Sequence, residues 1–185
     1  TVTFPMSQPN NNPGNPNNCV VTSIIYRTLV VNPLPVLNGP AEVCTGQTIN
    51  WTPNSGGTWT SSDPAIATID NNGLVTGISQ GAVTFTFNET TTGCSSTSAS
   101  VTVRPLPTGE ITGLSGICES ESASLAVTLT GTSPWNITYT DGTTPVSVTG
   151  ITSSPYTVSV TPAASATYTL SAVSDVYCNA TSLTG

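Results

Sequence analysis

The five cysteines are the residues of this chain best placed to do chemistry, because a thiol can form a disulfide, act as a nucleophile or bind a metal. Three of them open the same motif, Cys-x-x-Thr-Ser, at Cys19, Cys94 and Cys178. These cysteines lie 75 and 84 residues apart, which is the length of one small β-domain. The spacing therefore predicts a tandem array of similar units, each with this motif near its end.

The other two cysteines, Cys44 and Cys118, each lie near the start of a unit. The repeat register therefore predicts disulfides from Cys44 to Cys94 and from Cys118 to Cys178. Cys19 is predicted to be unpaired here, because its partner would lie upstream in the same unit. The closed loops hold about 50 and 60 residues, for which chain entropy gives at most about 4 kcal/mol per bridge. Disulfides predict an oxidising, extracellular setting, and the alternative is free buried cysteines in a cytosolic protein.

Most other chemistry is limited by what the composition lacks. The only basic residues are two arginines, and there is no histidine, which excludes Ser-His-Asp triads, Cys-His pairs, Schiff bases and imidazole metal ligands. The nine acidic residues are scattered, so a paired-carboxylate mechanism has no supporting motif. We therefore expect no enzyme activity, no catalytic residue, no cofactor and no metal site.

The charge balance limits the partners. With two basic residues and a net charge of −7, the chain has too few positive groups to neutralise several phosphates. This argues against binding to nucleic acid or to an anionic membrane surface. No segment approaches the 18 apolar residues of a membrane-spanning helix, and no signal peptide is recognisable, so export and anchoring signals are expected elsewhere in a longer protein.

The elements that must position the cysteines are short β-strands. Turn residues punctuate the chain every 8 to 12 residues or so, which is typical of β-sandwiches. Strands are predicted over residues 1–4, 23–31, 48–51, 58–61, 66–69, 74–76, 82–87, 99–103, 125–129, 135–139, 156–160 and 167–173.

A second repeated motif, Val-x-Pro-Leu-Pro, lies at residues 31–35 and 103–107 and marks the joints between units. It divides the chain into the C-terminal part of a preceding unit (1–35), a complete unit (36–107) and a unit that lacks its final strand (108–185). The predicted fold is all-β, with tandem β-sandwiches joined by short Pro-Leu-Pro linkers. Such linkers favour extended geometry and should limit bending between units.

The complete unit also resembles a known family. Residues 57–81 contain Trp-Thr-Ser-Ser, then Ile-Ala-Thr-Ile-Asp and Gly-Leu-Val-Thr-Gly, and this order is similar to the signature of bacterial group 2 Ig-like domains. The third unit, through residues 133–142 and 154–162, resembles a second kind of Ig-like repeat. Such units alternate in giant surface proteins of Bacteroidota, including gliding-motility adhesins exported by type 9 secretion. The resemblance implies that the sandwiches are immunoglobulin-like and that they are extracellular stalk or adhesin repeats without catalytic residues.

Some single residues allow two interpretations. Three tryptophans could stack on sugars, but their place in alternating strands favours a hydrophobic core; they are Trp51, Trp59 and Trp135. Three aspartates could bind calcium between domains, but Asp-Gly and Asp-Asn-Asn-Gly are turn sequences; they are Asp63, Asp70 and Asp141. Residues 9–18, rich in Asn and Pro, could form a contact loop, although a tolerated insertion is favoured.

Together these features predict the non-catalytic, disulfide-stapled stalk of a secreted or cell-surface adhesin. Its expected partners are neighbouring repeats of the same chain and an unidentified surface glycan or protein. Two alternatives remain: a module that binds a carbohydrate or a protein, and a subunit of an extracellular filament.

Overall fold

The chain is all-β. The computed structural model describes residues 2–6, 25–113, 116–118, 121–181 and 183, and these form seventeen strands and no helix. Among them there is accordingly no helix long and apolar enough to cross a membrane. The chain divides into two compact units, Thr1–Leu34 and Pro35–Gly185.

The first unit contains a two-stranded antiparallel ribbon. Strand β1 (Val2–Met6) pairs with β2 (Ile25–Leu29), with Val2 opposite Leu29. Both strands lie where strands are predicted from the sequence. Cys19 and the Asn/Pro-rich residues 9–18 lie outside the described residues.

The second unit begins with a sandwich of nine short strands, here called the first sandwich. Its strands are β3 (Glu42–Cys44), β4 (Thr48–Asn50), β5 (Gly57–Ser61), β6 (Ala67–Ile69), β7 (Leu74–Gly77), β8 (Gly81–Val83), β9 (Phe85–Glu89), β10 (Ser95–Thr97) and β11 (Val101–Arg104). They form three small sheets, ordered β3-β11-β8, β10-β9-β5 and β4-β7-β6. Alternate residues of these strands point inward, and the core they form includes Val75, Phe85, Phe87 and Val103.

The predicted strand over residues 82–87 is divided in two. Strand β8 pairs with β11, whereas β9 pairs with β5 and β10, so the chain changes sheets at Thr84. There the Thr84 N–H donates to the Ser62 hydroxyl at 3.0 Å, and the Ser62 N–H donates to the Thr84 carbonyl at 3.0 Å. A change of sheet by one strand is a common corner in β-sandwiches, and the unbroken apolar alternation of the sequence does not reveal it.

The second sandwich has six strands. They are β12 (Gly109–Thr112), β13 (Ala123–Leu129), β14 (Trp135–Thr140), β15 (Pro145–Ile151), β16 (Tyr156–Val160) and β17 (Thr169–Ser174). Two three-stranded sheets, β12-β13-β16 and β15-β14-β17, enclose a core that is mostly aliphatic. Strand β15 is not predicted from the sequence, because most of its residues are exposed and give no alternating apolar pattern.

Each sandwich has two distinct ends. We call the end at which the chain enters from the preceding residues the entry end, and the opposite end the exit end. In the first sandwich, Asn38 pairs with Thr52 at the entry end, and β11 finishes at Arg104 at the exit end. In the second sandwich, Gly109 lies opposite Leu129 at the entry end, and Ala123 lies opposite Val160 towards the exit end.

Candidate functional site at the joint between the two sandwiches

A disulfide spans the joint between the two sandwiches. Cys44, the last residue of β3, is bonded to Cys178, which follows β17, with a Cα–Cα distance of 5.9 Å. The two cysteines are 134 residues apart in sequence. The bridge therefore joins the exit end of the first sandwich to the entry end of the second, and lies beside the linker of residues 105–107.

The predicted disulfide between Cys44 and Cys94 is wrong, because these residues lie at opposite ends of the first sandwich. Cys44 lies beside Arg104 in the parallel pairing of β3 with β11. Cys94 lies in the β9–β10 turn, where its carbonyl accepts the Glu89 N–H at 2.9 Å. From Gly81, opposite Val103, the chain runs eight residues to Glu89, which is roughly 26 Å of strand. A disulfide requires Cα atoms less than about 7 Å apart.

The predicted disulfide between Cys118 and Cys178 is wrong for the same reason. Cys118 precedes β13, which begins with Ala123 at the exit end. Cys178 belongs to a turn held at the entry end, close to Thr132. The seven residues of β13 separate the two positions by roughly 20 Å. In this structure Cys118 is an exposed free thiol and Cys94 a partly exposed one.

An arginine reinforces the bridge. The Arg104 Nη2 atom lies 2.6 Å from the Glu42 Oε1 atom, and the guanidinium carbon lies 3.7 Å from the centre of the Tyr177 ring. The hydrogen bond to Glu42 raises the pKa of Arg104, so the side chain keeps its charge. Arg104 and Glu42 belong to the first sandwich and Tyr177 to the second. The cation–π contact therefore crosses the joint next to the disulfide.

The turn that presents Tyr177 and Cys178 is built by one carboxylate. The Asp175 Oδ1 atom accepts the N–H groups of Tyr177 at 2.8 Å and Cys178 at 2.6 Å. The other oxygen, Oδ2, accepts the Thr132 N–H at 2.9 Å, which fixes the turn to the loop between β13 and β14. Charge-assisted hydrogen bonds of this kind are stronger than neutral ones. Asp175 is therefore the residue that holds the second sandwich's half of the bridge in place.

The linker itself is packed against the second sandwich. Pro107 is fully buried, and Thr108 forms a hydrogen-bonded pair with Thr130 through N–H···Oγ1 at 3.0 Å and between the hydroxyls at 2.7 Å. Gly109 has no space for a side chain, because a Cβ atom there would lie 2.7 Å from Val173 Cγ2. The joint is thus fixed by packing and by a covalent bond.

The structure confirms that the three tryptophans are core residues. Trp51 and Trp59 are each 5% exposed and Trp135 is 9% exposed. Two of the indole N–H groups donate to carbonyls, from Trp59 to Pro53 at 2.8 Å and from Trp135 to Thr130 at 2.9 Å. Rings buried in this way offer no face on which a sugar could stack.

The three predicted turn aspartates also act as predicted. Each accepts a backbone N–H from two residues further on, at 3.0 Å for Asp63, 2.9 Å for Asp70 and 2.9 Å for Asp141. The Thr143 hydroxyl and nearby backbone N–H groups lower the pKa of Asp141 to about 2. A backbone N–H from Leu74 lowers the pKa of Asp70. Within the described residues, no group of three or more His, Cys, Asp or Glu side chains could hold a metal ion.

Four residues of the joint escape prediction from the sequence: Glu42, Arg104, Asp175 and Tyr177. One signal is available, because Arg104 is one of only two basic residues and lies directly before the Pro-Leu-Pro linker. The other three occur at positions where the repeats do not match one another, so repeat comparison gives no hint of them.

Comparison with known proteins assigns a domain type to both sandwiches. No curated protein matches the chain. Residues 43–103 match the family of bacterial Ig-like domains (group 2), which confirms the resemblance of the complete unit. Residues 114–183 match the Ig-like domain of nucleoporin POM152. The chain thus carries two Ig-like β-sandwiches joined in tandem through a Pro-Leu-Pro linker, and their sequences match two different Ig-like family models.

Proposed function

We propose that this chain is part of the stalk of a secreted or cell-surface adhesin, where it serves as a stiff spacer that carries load. The observation that carries the proposal is the disulfide across the joint between the sandwiches. A flexible linker would let adjacent domains pivot, whereas this joint combines a covalent bond, a buried proline and an ion pair stacked on an aromatic ring. A spacer needs such a joint, and a domain that only binds a ligand does not.

The bridge would also limit how far the chain can be stretched. When the chain is pulled from its ends, force passes through the Cys44–Cys178 bond and bypasses the polypeptide between the two cysteines. That segment spans 134 residues, or about 470 Å when fully extended at ~3.5 Å per residue. Both sandwiches are therefore shielded from complete extension by one bond.

The setting proposed for this role is extracellular. Disulfides persist in oxidising compartments, and bacterial group 2 Ig-like domains match the first sandwich. The link to gliding motility and type 9 secretion stays a prediction of the sequence resemblance. The buried tryptophans give no support to a carbohydrate-binding alternative.

Single-molecule force spectroscopy on the whole chain, held at its two ends, tests the proposal. In oxidising buffer, we expect no length increment that corresponds to the residues between Cys44 and Cys178. After reduction, we expect new increments that sum to as much as about 470 Å, less the folded length. A Cys94→Ser/Cys118→Ser chain is the control, because it keeps the bridge and should behave as the parent does. Equal extension with and without reductant would contradict the load-bearing role.

A further inference from the structure

The four cysteines of the two sandwiches fall into two positional classes. Cys44 is the last residue of β3, and Cys118 lies between β12 and β13; we call them leading cysteines because each is near the start of its unit. Cys94 and Cys178 open the Cys-x-x-Thr-Ser motif, and we call them trailing cysteines. The disulfide in the structure joins the leading cysteine of the first sandwich to the trailing cysteine of the second.

The two classes lie at fixed and opposite ends. The leading cysteines are at the exit end: Cys44 lies beside Arg104, and Cys118 precedes Ala123, whose partner is Val160. The trailing cysteines are at the entry end: Cys94 shares a turn with Glu89, and Cys178 lies in the turn fixed to the loop after β13. At the joint between the two sandwiches, the leading cysteine Cys44 therefore faces the second sandwich, and the trailing cysteine Cys178 faces the first.

This placement decides which pairs can form. A leading and a trailing cysteine of one sandwich are separated by most of its length, so they cannot bond to each other. At a joint, the leading cysteine of one unit meets the trailing cysteine of the next, as Cys44 meets Cys178. Cys118 is thus the positional counterpart of Cys44, and Cys94 is the counterpart of Cys178, and both are free thiols at outer ends of the two-sandwich body.

A surface feature beside Cys118 supports a docking role for that end. A cleft of about 350 Å³ opens there, with apolar lining from Ile117, Leu125, Val160 and Tyr168. Cys118 itself lies in the cleft wall and is exposed. The exit end of the first sandwich is the equivalent surface, and there Cys44 is bonded to Cys178 of the second sandwich. In this chain, therefore, one exit end already binds an Ig-like unit.

We propose that the exit end of the second sandwich is half of a joint that takes another Ig-like unit of the same kind. Cys118 bonds to the trailing cysteine of a unit placed after it. This disulfide, like the one between Cys44 and Cys178, then runs from one unit to the next and not within one unit. This pattern depends on the geometry of the observed joint and goes beyond the stalk role.

The bond-forming step is a simple oxidation. The two thiols lose two protons and two electrons as the S–S bond forms, and a disulfide oxidant such as oxidised glutathione accepts them and leaves as two thiols. Because the partner cysteine must come from a docked unit, Cys118 of the unextended chain should stay able to react with small thiol reagents.

A chain extended in register tests the proposal directly. Cys94 and Cys178 are 84 residues apart, so a second copy of residues 102–185 added after Gly185 supplies, in register, the sequence of β11 from Thr102, the Pro-Leu-Pro linker and one more unit. After refolding with oxidised and reduced glutathione, peptide mapping by mass spectrometry should find Cys118 bonded to the added copy of Cys178. The original Cys44–Cys178 bridge should be present in the same sample, and it reports that the parental part has folded.

The matched control is the same extended chain with Cys118→Ser. We expect the added copy of Cys178 to titrate as a free thiol in this control and to be protected in the extended chain. The proposal is overturned if Cys118 of the extended chain stays reactive. It is equally overturned if Cys118 bonds to Cys94, to the original Cys178 or to Cys118 of another chain.

Discussion

The two sandwiches have different cores but the same arrangement of ends. The first packs four aromatic rings, with centroid distances of 6.4 Å between Trp51 and Trp59, 6.0 Å between Trp51 and Phe85, and 5.0 Å between Trp59 and Phe87. The second relies on aliphatic residues such as Val127 and Ile137. Both place one cysteine at the exit end and one at the entry end. Core composition can therefore change between units, whereas the joint depends on where the ends place a few side chains.

The largest effect is expected from removing the bridge that joins the two sandwiches. Replacing both bonded cysteines, Cys44→Ser with Cys178→Ser, should lower the free energy of unfolding by up to about 5 kcal/mol, because the unfolded chain loses a closed loop of 134 residues. Guanidinium denaturation and calorimetry would measure the loss. We also expect one thermal transition to separate into two, since the sandwiches would unfold independently.

The matched control for this change removes the two free thiols instead. Cys94→Ser with Cys118→Ser should leave the unfolding free energy nearly unchanged, because neither cysteine is bonded in this structure. If this control loses as much stability as the Cys44/Cys178 variant, the bridge across the joint is not the one that stabilises the chain.

The next largest effect compares the cores themselves. Phe85→Ala in the first sandwich should cost about 3–5 kcal/mol, and Ile137→Ala in the second about 2–5 kcal/mol, since both side chains are at most 2% exposed and each substitution leaves a cavity. In a background without the Cys44–Cys178 bridge, each variant should shift only the transition of its own sandwich. Differential scanning calorimetry would resolve the two transitions. A shift of both transitions by one substitution would contradict independent cores.

The positions of most strands and the all-β class of the fold can be predicted from the sequence, because both depend on local patterns. Alternating residues such as Phe85 and Phe87, or Trp135 and Ile137, record which face is buried, and turn residues such as Asp141 record where the chain reverses. These signals are local, so they need no knowledge of neighbouring units.

Sequence reasoning fails at the joint, because a disulfide depends on the relative position of distant ends. The repeat register identifies both classes of cysteine but cannot show at which end each lies. Because each unit contains two cysteines, the sequence suggests a disulfide between Cys44 and Cys94. The directions of the strands instead place these two cysteines at opposite ends of the sandwich and bring Cys178 to Cys44. The contact between Arg104 and Tyr177 likewise joins two units, so no pattern within one unit contains it.

A smaller effect distinguishes two tryptophans within the first core. The buried Trp51 indole N–H has no hydrogen-bond partner among the described residues, whereas the Trp59 N–H donates to the Pro53 carbonyl at 2.8 Å. Replacement by phenylalanine removes similar apolar volume at both positions. Trp59→Phe should therefore cost about 1 kcal/mol more than Trp51→Phe, because only the former loses a hydrogen bond and leaves a carbonyl unpaired. Urea denaturation of the two variants would measure the difference, and equal losses would contradict the assigned hydrogen bond.

The smallest effect compares the turn carboxylates of the two sandwiches. The pKa of Asp141 is lowered to about 2, first by the Thr143 hydroxyl and then by backbone N–H groups, while the pKa of Asp70 is lowered mainly by the Leu74 N–H. A carboxyl with a depressed folded pKa stabilises the folded state above its unfolded pKa, and this contribution is lost as the pH falls through the folded value. The Asp141 carboxylate should thus keep stabilising the turn between β14 and β15 until the pH falls to about 2. Carboxyl carbon shifts measured by NMR would give both midpoints.

Substitution of the side chain that contributes most would test the cause of the Asp141 shift. Thr143→Val removes the hydroxyl that donates to Asp141 at 2.6 Å but keeps the backbone N–H that donates at 2.9 Å. The midpoint of Asp141 should rise towards its ordinary value of 3.8 without reaching it, and the midpoint of Asp70 should not move, because its donors belong to the other sandwich. If Asp141 keeps a midpoint near 2 in this variant, the backbone N–H groups alone set its pKa, and the two turns are held by the same interaction in both sandwiches.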